Sequence, residues 1–214
     1  GLYLALVHSP ADYQQGESVR IMYVHVPAAW MSLFIYLAMA GSAAVAMVWR
    51  IKAAAAFASA SAPVGASFTF LALATGALWG KPMWGAWWAW DARLTSELIL
   101  LFLYFGYMAL HSAIEDRERA SRAAGLLALV GGVNIPIIHY SVQWWNTLHQ
   151  GATVIRPDGP AIHVSMLVPL LLMAGSFTAW YGAAALRRAR CELLEREPGS
   201  GWAKEVAEAE GEVS

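Results

Sequence analysis

"PAAWMSLFIYLAMAGSAAVAMVW", Pro27 to Trp49, runs for 23 residues without one charged side chain. A helix needs about 20 mainly apolar residues to cross a bilayer core roughly 30 Å thick, so this single stretch is long enough. The same pattern recurs along the chain. Ala53 to Leu78, Leu98 to Ile114, Ala123 to Ile155 and Gly159 to Leu186 are also uncharged. Composition agrees, with 58% hydrophobic and 14% charged residues against roughly 25% charged in a soluble domain. Mean hydropathy is +0.47. Backbone exposed to lipid must satisfy its hydrogen bonds within the segment, so the blocks predict an all-α, polytopic membrane helical bundle with five full spans. The opening "GLYLALVHSP" is apolar, too short to span and lacks a Met. It reads as the end of a truncated helix, a sixth span in part. Neither the basic segment nor the cleavage site of a signal peptide is visible.

Basic residues in the connections predict orientation. Arg50, Lys52, Arg117, Arg119, Arg122, Arg187, Arg188 and Arg190 fall on one side, against Arg20, Lys81, Arg93 and Arg156 on the other. The first side is expected in the cytoplasm. The longer, aromatic, weakly charged connections then face outward, and long ordered loops tend to be functional. The chain divides into residues 1–190, a membrane domain, and 191–214, a polar and mostly acidic cytoplasmic tail. A net charge of −1 leaves no footprint for nucleic acid. The lone Cys191 excludes an internal disulfide and any CxxC metal or redox motif. Pro27 and Pro63 are expected near the starts of their spans, where a missing N–H costs little. Pro136 is expected to bend span 5 and free a carbonyl, which Asn134 could satisfy.

"WGKPMWGAWWAWDARLTS", residues 79–96, holds five of the chain's eleven tryptophans. Single interfacial rings are ordinary in membrane proteins, as Trp30, Trp49 and Trp180 read. A helical "WGAWWAWD" would put Trp84, Trp87, Trp88 and Asp91 on one face, with Trp90 off it. That shelf suits a large planar apolar ligand held by dispersion and offset stacking. Gly80 and Gly85 would let the chain turn close to it. Arg93 and Lys81 could meet carboxylates at its edge, with Arg offering a bidentate fork. Asp91 could equally cap a helix or pair with Arg93. Haem has the required shape and two propionates.

Iron in haem takes axial ligands, often neutral imidazole. Of six histidines, His111 lies at the opposite end, while His8, His163 and His139 read as interface or core residues. His25 in "MYVHVPAAW" and His149 in "WWNTLHQG" remain, both expected in loops on the tryptophan side. No local ligand spacing supports the pair, and a structural role for each stays open.

On these residues the chain resembles a known family. "WGKPMWGAWWAWDARLTSELILLFLY" is similar to the tryptophan-rich WWD signature of haem-handling membrane proteins. "ADYQQGESVRIMYVHVPAAW", "NIPIIHYSVQWWNTLHQG" and "FTFLALATGALWGKPMWG" resemble the CcmC (haem exporter protein C) family of cytochrome c maturation. The likeness implies six transmembrane helices, the first truncated here, in the bacterial inner membrane, with the haem site on the periplasmic side. It implies His25 and His149 as axial ligands, Trp84, Trp87, Trp88, Trp90 and Asp91 around the macrocycle, and Arg93 and Arg20 at the propionates of haem b. Ser141, near Trp144, could add a hydrogen bond. Implied partners are the haem chaperone CcmE, which receives the haem, and CcmA, CcmB and CcmD in an ABC-type complex. No GxxxxGK[ST] loop is present, so ATP hydrolysis would belong to a partner, and the chain is read as a haem-presenting subunit rather than an enzyme in the usual sense. The alternative reading is a cytochrome b-type membrane oxidoreductase, which would set histidine pairs on facing spans. A scaffold whose tryptophans grip a partner helix is a third.

Overall fold

The computed structural model describes residues 1–145, 147–149, 151, 153–154, 156–202 and 204. Among the described residues there are six α-helices: α1 Met22–Trp49, α2 Lys52–Trp84, α3 Ala92–Ala113, α4 Arg117–Gly131, α5 Asn134–Trp144 and α6 Val164–Arg196. Five helical stretches are long and apolar enough to cross a membrane, with α4 and α5 together making one of them. They alternate in direction, so the starts of α1, α3 and α6 and the ends of α2 and α5 lie at one end of the bundle, called here the site end.

Charged and special residues set the boundaries. Asp91 and Asp116 cap α3 and α4, accepting from the Leu94 and Arg119 amides at 2.7 Å each, which satisfies donors that no helical carbonyl can reach. Gly85 closes α2 with φ +76° and an amide donated to the Lys81 carbonyl at 3.0 Å. That left-handed conformation suits glycine. Because α2 begins at Lys52, Pro63 lies well inside it, not near its start, and the Ser67 hydroxyl donates to the Pro63 carbonyl at 2.8 Å.

Pro136 does not bend a continuous helix as expected. The helix ends at Gly131, turns through Gly132 and Val133, and restarts at Asn134. Pro136 is then the third residue of α5. Its ring would have clashed with the carbonyl of residue 132 in an unbroken helix, and the break removes that conflict. Asn134 serves another helix instead: its Nδ2 donates to the Ser96 carbonyl of α3 at 2.8 Å.

The main core is built on α1, α2 and α3, with buried residues of α4, α5 and α6 packed into it. Small residues of α2, among them Ala62, Ala66 and Ala72, are buried. They let neighbouring backbones approach, the packing mode available where lipid is as apolar as the protein. Large buried rings fill the rest. Tyr36 and Tyr104 meet edge to face at 5.1 Å. Tyr104 donates to the Ser32 carbonyl at 2.8 Å, and Tyr181 and Ser61 share a bond at 3.0 Å. The tips of Tyr104 and Tyr181 are matched, as burial requires, while the buried Tyr36 hydroxyl has no hydrogen-bond partner in the protein. The N-terminal turn Leu4–His8 packs on α6. Helix α6 continues past residue 190 to Arg196. Residues 203 and 205–214, the end of the acidic tail, lie outside the described residues.

Interhelical hydrogen bonds in membrane proteins average about 0.6 kcal/mol and reach roughly 1.7. Asn134→Ala is therefore expected to lower resistance to thermal or detergent unfolding by about 1 kcal/mol while far-ultraviolet circular dichroism stays unchanged. An unchanged unfolding midpoint would show that the bond to Ser96 does not tie α5 to α3.

Candidate functional site

The tryptophan segment is not the helix that the sequence suggested. Helix α2 stops at Trp84, the chain runs non-helically through residues 85–91, and α3 begins at Ala92. Gly85 and the Asp91 cap are the causes, since one ends a helix and the other starts a new one. Trp84, Trp87 and Trp88 therefore do not share a helical face with Asp91. Trp84 sits edge-on to His149 at 4.9 Å. Trp87 is 56% exposed, with the Lys81 ammonium 5.9 Å from its ring centre. Trp88 turns inward and packs against the main core, meeting Trp90 edge to face at 5.5 Å. Trp90 is 77% exposed. The result is a broken aromatic surface with one ring anchored and two presented outward. Trp144 and Trp145, both exposed, add to it from the end of α5.

His25 was expected in a loop just outside its span. It lies instead in the first turn of α1, continuous with the apolar helix. Its Nδ1 is 3.0 Å from the Ala72 carbonyl and 3.1 Å from the Thr75 hydroxyl, both on α2. A carbonyl only accepts, so Nδ1 carries the proton and Nε2 keeps its lone pair. Gly76 makes room for the ring: a Cβ there would stand 3.0 Å from His25 Cε1. Trp79 closes the other side edge-on at 5.7 Å, and its own Nε1 donates to Gln15 Oε1 at 3.0 Å.

His149 is held by the same logic from a different element. Its Nδ1 lies 3.2 Å from Asp91 Oδ2, while Asp91 Oδ1 caps α3. A carboxylate oxygen accepts, so here too Nδ1 donates and Nε2 is left free. Fixing one ring nitrogen in this way selects the tautomer that ligates through the other. The two imidazoles, on elements far apart in sequence, line one cavity of about 30 Å³ together with Arg93, Glu97, Ala72 and Ile138. That is room for one or two waters. A macrocycle does not fit inside a cavity of this volume.

Arg93 faces this cavity from the first turn of α3. Arg20 does not: its guanidinium is engaged by Glu17 and donates to the Ala5 and Leu6 carbonyls at 3.2 and 2.6 Å, tying down the N-terminal turn. Ser141 is buried and donates to the Ile138 carbonyl of its own helix at 2.8 Å. Of the other histidines, His163 caps α6 by accepting from the Ser165 amide, and His111 stacks on Tyr107 at the opposite end. Sequence reading missed Glu97, which lines the cavity four residues after Arg93. The signal available was a lone acidic residue just before an uncharged run, at the i+4 spacing that places it beneath Arg93 on one helix face.

Burial lowers the His149 pKa below its ordinary 6.5, and the Arg93 charge lowers it further, while Asp91 opposes both through its charge and hydrogen bond. The released ring takes up a proton near 6.5 and the seated ring only at lower pH, so seating is fully favoured above 6.5 and weakens as pH falls through the lower value. Asp91→Asn removes the opposing charge and is expected to depress the His149 midpoint further. Histidine ¹³C NMR of the haem-free protein reads both values. A wild-type midpoint at or above 6.5, or an upward shift in the variant, would contradict the arrangement.

A bundle of apolar helices with two imidazoles lining one cavity, flanked by exposed indoles and an arginine, defines a polytopic membrane protein with a polar, aromatic site at one end of the bundle. A family profile described as "Heme exporter protein C" matches residues 1–204, and the chain belongs to this CcmC family. It is 53% identical over 208 residues to the protein of that name from Haemophilus influenzae, covering 97% of this chain and 85% of that one. Against the Escherichia coli K12 protein of the same name it is 53% identical over 198 residues, covering 92% and 80%. A Marchantia polymorpha mitochondrial protein, named as ccmC-like and of cytochrome c biosynthesis, is 48% identical over 176 residues, covering 82% and 74%.

Proposed function

We propose that the protein handles haem for cytochrome c biogenesis, holding haem b as cargo at the site end of the bundle and presenting it to the chaperone CcmE. The observation that carries this reading is the matched pair of imidazoles. Each has its Nδ1 bonded to a fixed acceptor, and both face one cavity. Two neutral Nε2 atoms are the donor set for a six-coordinate haem iron. Trp84 and the exposed Trp87 and Trp90 offer dispersion surface for the macrocycle, Trp88 anchors the segment to the core, and Asp91 orients His149. Arg93 is the cation inside the cavity and serves a propionate; Arg20 acts on the N-terminal turn and reaches a propionate only by giving up its carbonyls. The site end carries fewer basic residues, which supports an orientation facing the periplasm of a bacterial inner membrane. Energy input would come from CcmA and CcmB, with CcmD completing the complex.

The chain's own contribution is positional. Held tautomers remove the need to reorganise the ligands when iron arrives, and filling both axial positions keeps oxygen from the metal. Chemistry on the porphyrin belongs to haem and its acceptor. A cytochrome b-type oxidoreductase gains one point, since His25 is in a spanning helix, but His149 lies beyond α5 rather than on a facing span.

The test is spectroscopic. Purified protein is expected to show a low-spin, bis-imidazole haem spectrum, and His25→Ala and His149→Ala are each expected to lose it while staying helical. Two variants retaining the wild-type spectrum would overturn the ligand assignment. Trp87→Ala with Trp90→Ala is expected to reduce haem occupancy several-fold without lowering the unfolding temperature, because both rings are exposed. Trp88→Ala should lower the unfolding temperature as well. Equal stability losses in all three would make the segment structural.

A further inference from the structure

The N-terminal turn Leu4–His8 runs antiparallel to α6. Gly1 sits beside Met173, while Leu4, His8 and Ser9 share a recess with Ser165, Val168 and Pro169. The recess measures about 290 Å³ and has no residue in common with the cavity at the imidazoles. Its size is close to the lower bound, roughly 300 Å³, of small-molecule sites. Its lining is graded. Helix α6 starts at the site end, so His8, Ser9 and Ser165 stand at the outer rim, and Leu4, Val168 and Pro169 lie about one turn deeper. The rim is mostly spoken for: the Ser9 hydroxyl bonds Tyr23, and the Ser165 hydroxyl lies 2.8 Å from His163 Nδ1. The exposed His8 ring touches Tyr3 edge-on and keeps an N–H to donate.

The surroundings decide what fills the recess. Leu6 and Val7 on the turn and Val164 and Val168 on α6 are exposed, and α6 is long and apolar enough to cross a membrane. The recess is therefore continuous with a surface that meets hydrocarbon. Apolar recesses stay dry, and a lining that nothing touches forfeits its dispersion contacts. A smooth helix face meets lipid tails indifferently along its length, whereas a recess graded from polar to apolar accepts one amphiphile in one orientation. We propose that this recess is a phospholipid site. One acyl chain of a lipid in the leaflet at the site end lies between the N-terminal turn and α6, against Leu4, Val168 and Pro169, and its ester and phosphate oxygens meet His8. Arg20 already ties the turn through the Ala5 and Leu6 carbonyls; the acyl chain supplies the apolar side of the same attachment. The site stands apart from the handling of haem and does not rest on it.

The test is photolabelling in a bilayer. The protein is reconstituted in phosphatidylcholine vesicles doped with a phosphatidylcholine that carries a diazirine in the upper half of one acyl chain, and labelled residues are mapped by mass spectrometry. Leu78 on α2 and Ile99 on α3 are exposed and lie within about two turns of the site end, so they report lipid that merely surrounds the protein. Leu4 and Val168 are expected to take several-fold more label than either, although Leu4 is only half-exposed. Val168→Phe fills the recess and should bring Leu4 down to the level of Ile99 while Ile99 itself is unchanged. Leu4→Phe, read at Val168, serves if far-ultraviolet circular dichroism shows that the first variant does not fold. Equal labelling of all four residues in the wild type, or undiminished labelling beside the introduced ring, overturns the proposal and leaves only surrounding lipid.

Discussion

The site end is organised by one carboxylate with two tasks. Asp91 Oδ1 accepts the Leu94 amide and starts α3, and Oδ2 faces His149 Nδ1 and, more weakly at 3.4 Å, the Leu148 amide. A short charged cap is worth about 1 kcal/mol to a helix, but here the same atoms fix where a distant loop lands. Starting α3 at Ala92 also sets the rotation that points Arg93 and Glu97 at the cavity. Moving the cap by one residue would turn those two side chains by about 100°. The tryptophan segment, the α3 register and the seat of the second imidazole are thus one mechanical unit.

The opposite end is held differently. Lys52 at the start of α2 meets Glu197 just beyond α6 at 2.5 Å, and this hydrogen bond draws the Glu197 pKa below its ordinary value. Glu192 and Arg196 pair one turn apart on α6. An exposed pair such as Lys52–Glu197 contributes little. The Lys52–Glu197 pair aligns the end of α6 with the first turn of α2 rather than stabilising the bundle, whose cohesion comes from alanine-rich contacts in the apolar layer.

Hydropathy alone revealed the helices, because lipid imposes a single rule on every span. Their ends were legible only where a charge or glycine marked them. Pro136 shows the limit: its residue type announced a disruption, but the break settled at Gly132 and Val133, where backbone freedom was available. The tryptophans were legible as a cluster, not as a shape, since the helical face drawn through Trp84, Trp87 and Trp88 ignored the Gly85 stop within it. His25 and His149 stood out by elimination. Their tautomers did not, because Ala72 and Thr75 act through a carbonyl and a hydroxyl some fifty residues away. Glu97 stayed hidden for a related reason: its significance comes from what α1 and the His149 loop bring opposite it.

The fixed Nδ1 protons have a thermodynamic corollary. An imidazole whose hydrogen sits on Nδ1, donated to a carbonyl or carboxylate, has none to surrender when a metal approaches the other nitrogen. Above the pH at which His149 titrates, loading would exchange no protons with solvent, and the heat of loading would be the same in buffers of high and low ionisation enthalpy. A ligand taken up on such nitrogens would be insulated from the acidity of its surroundings until that acidity reaches the loop itself.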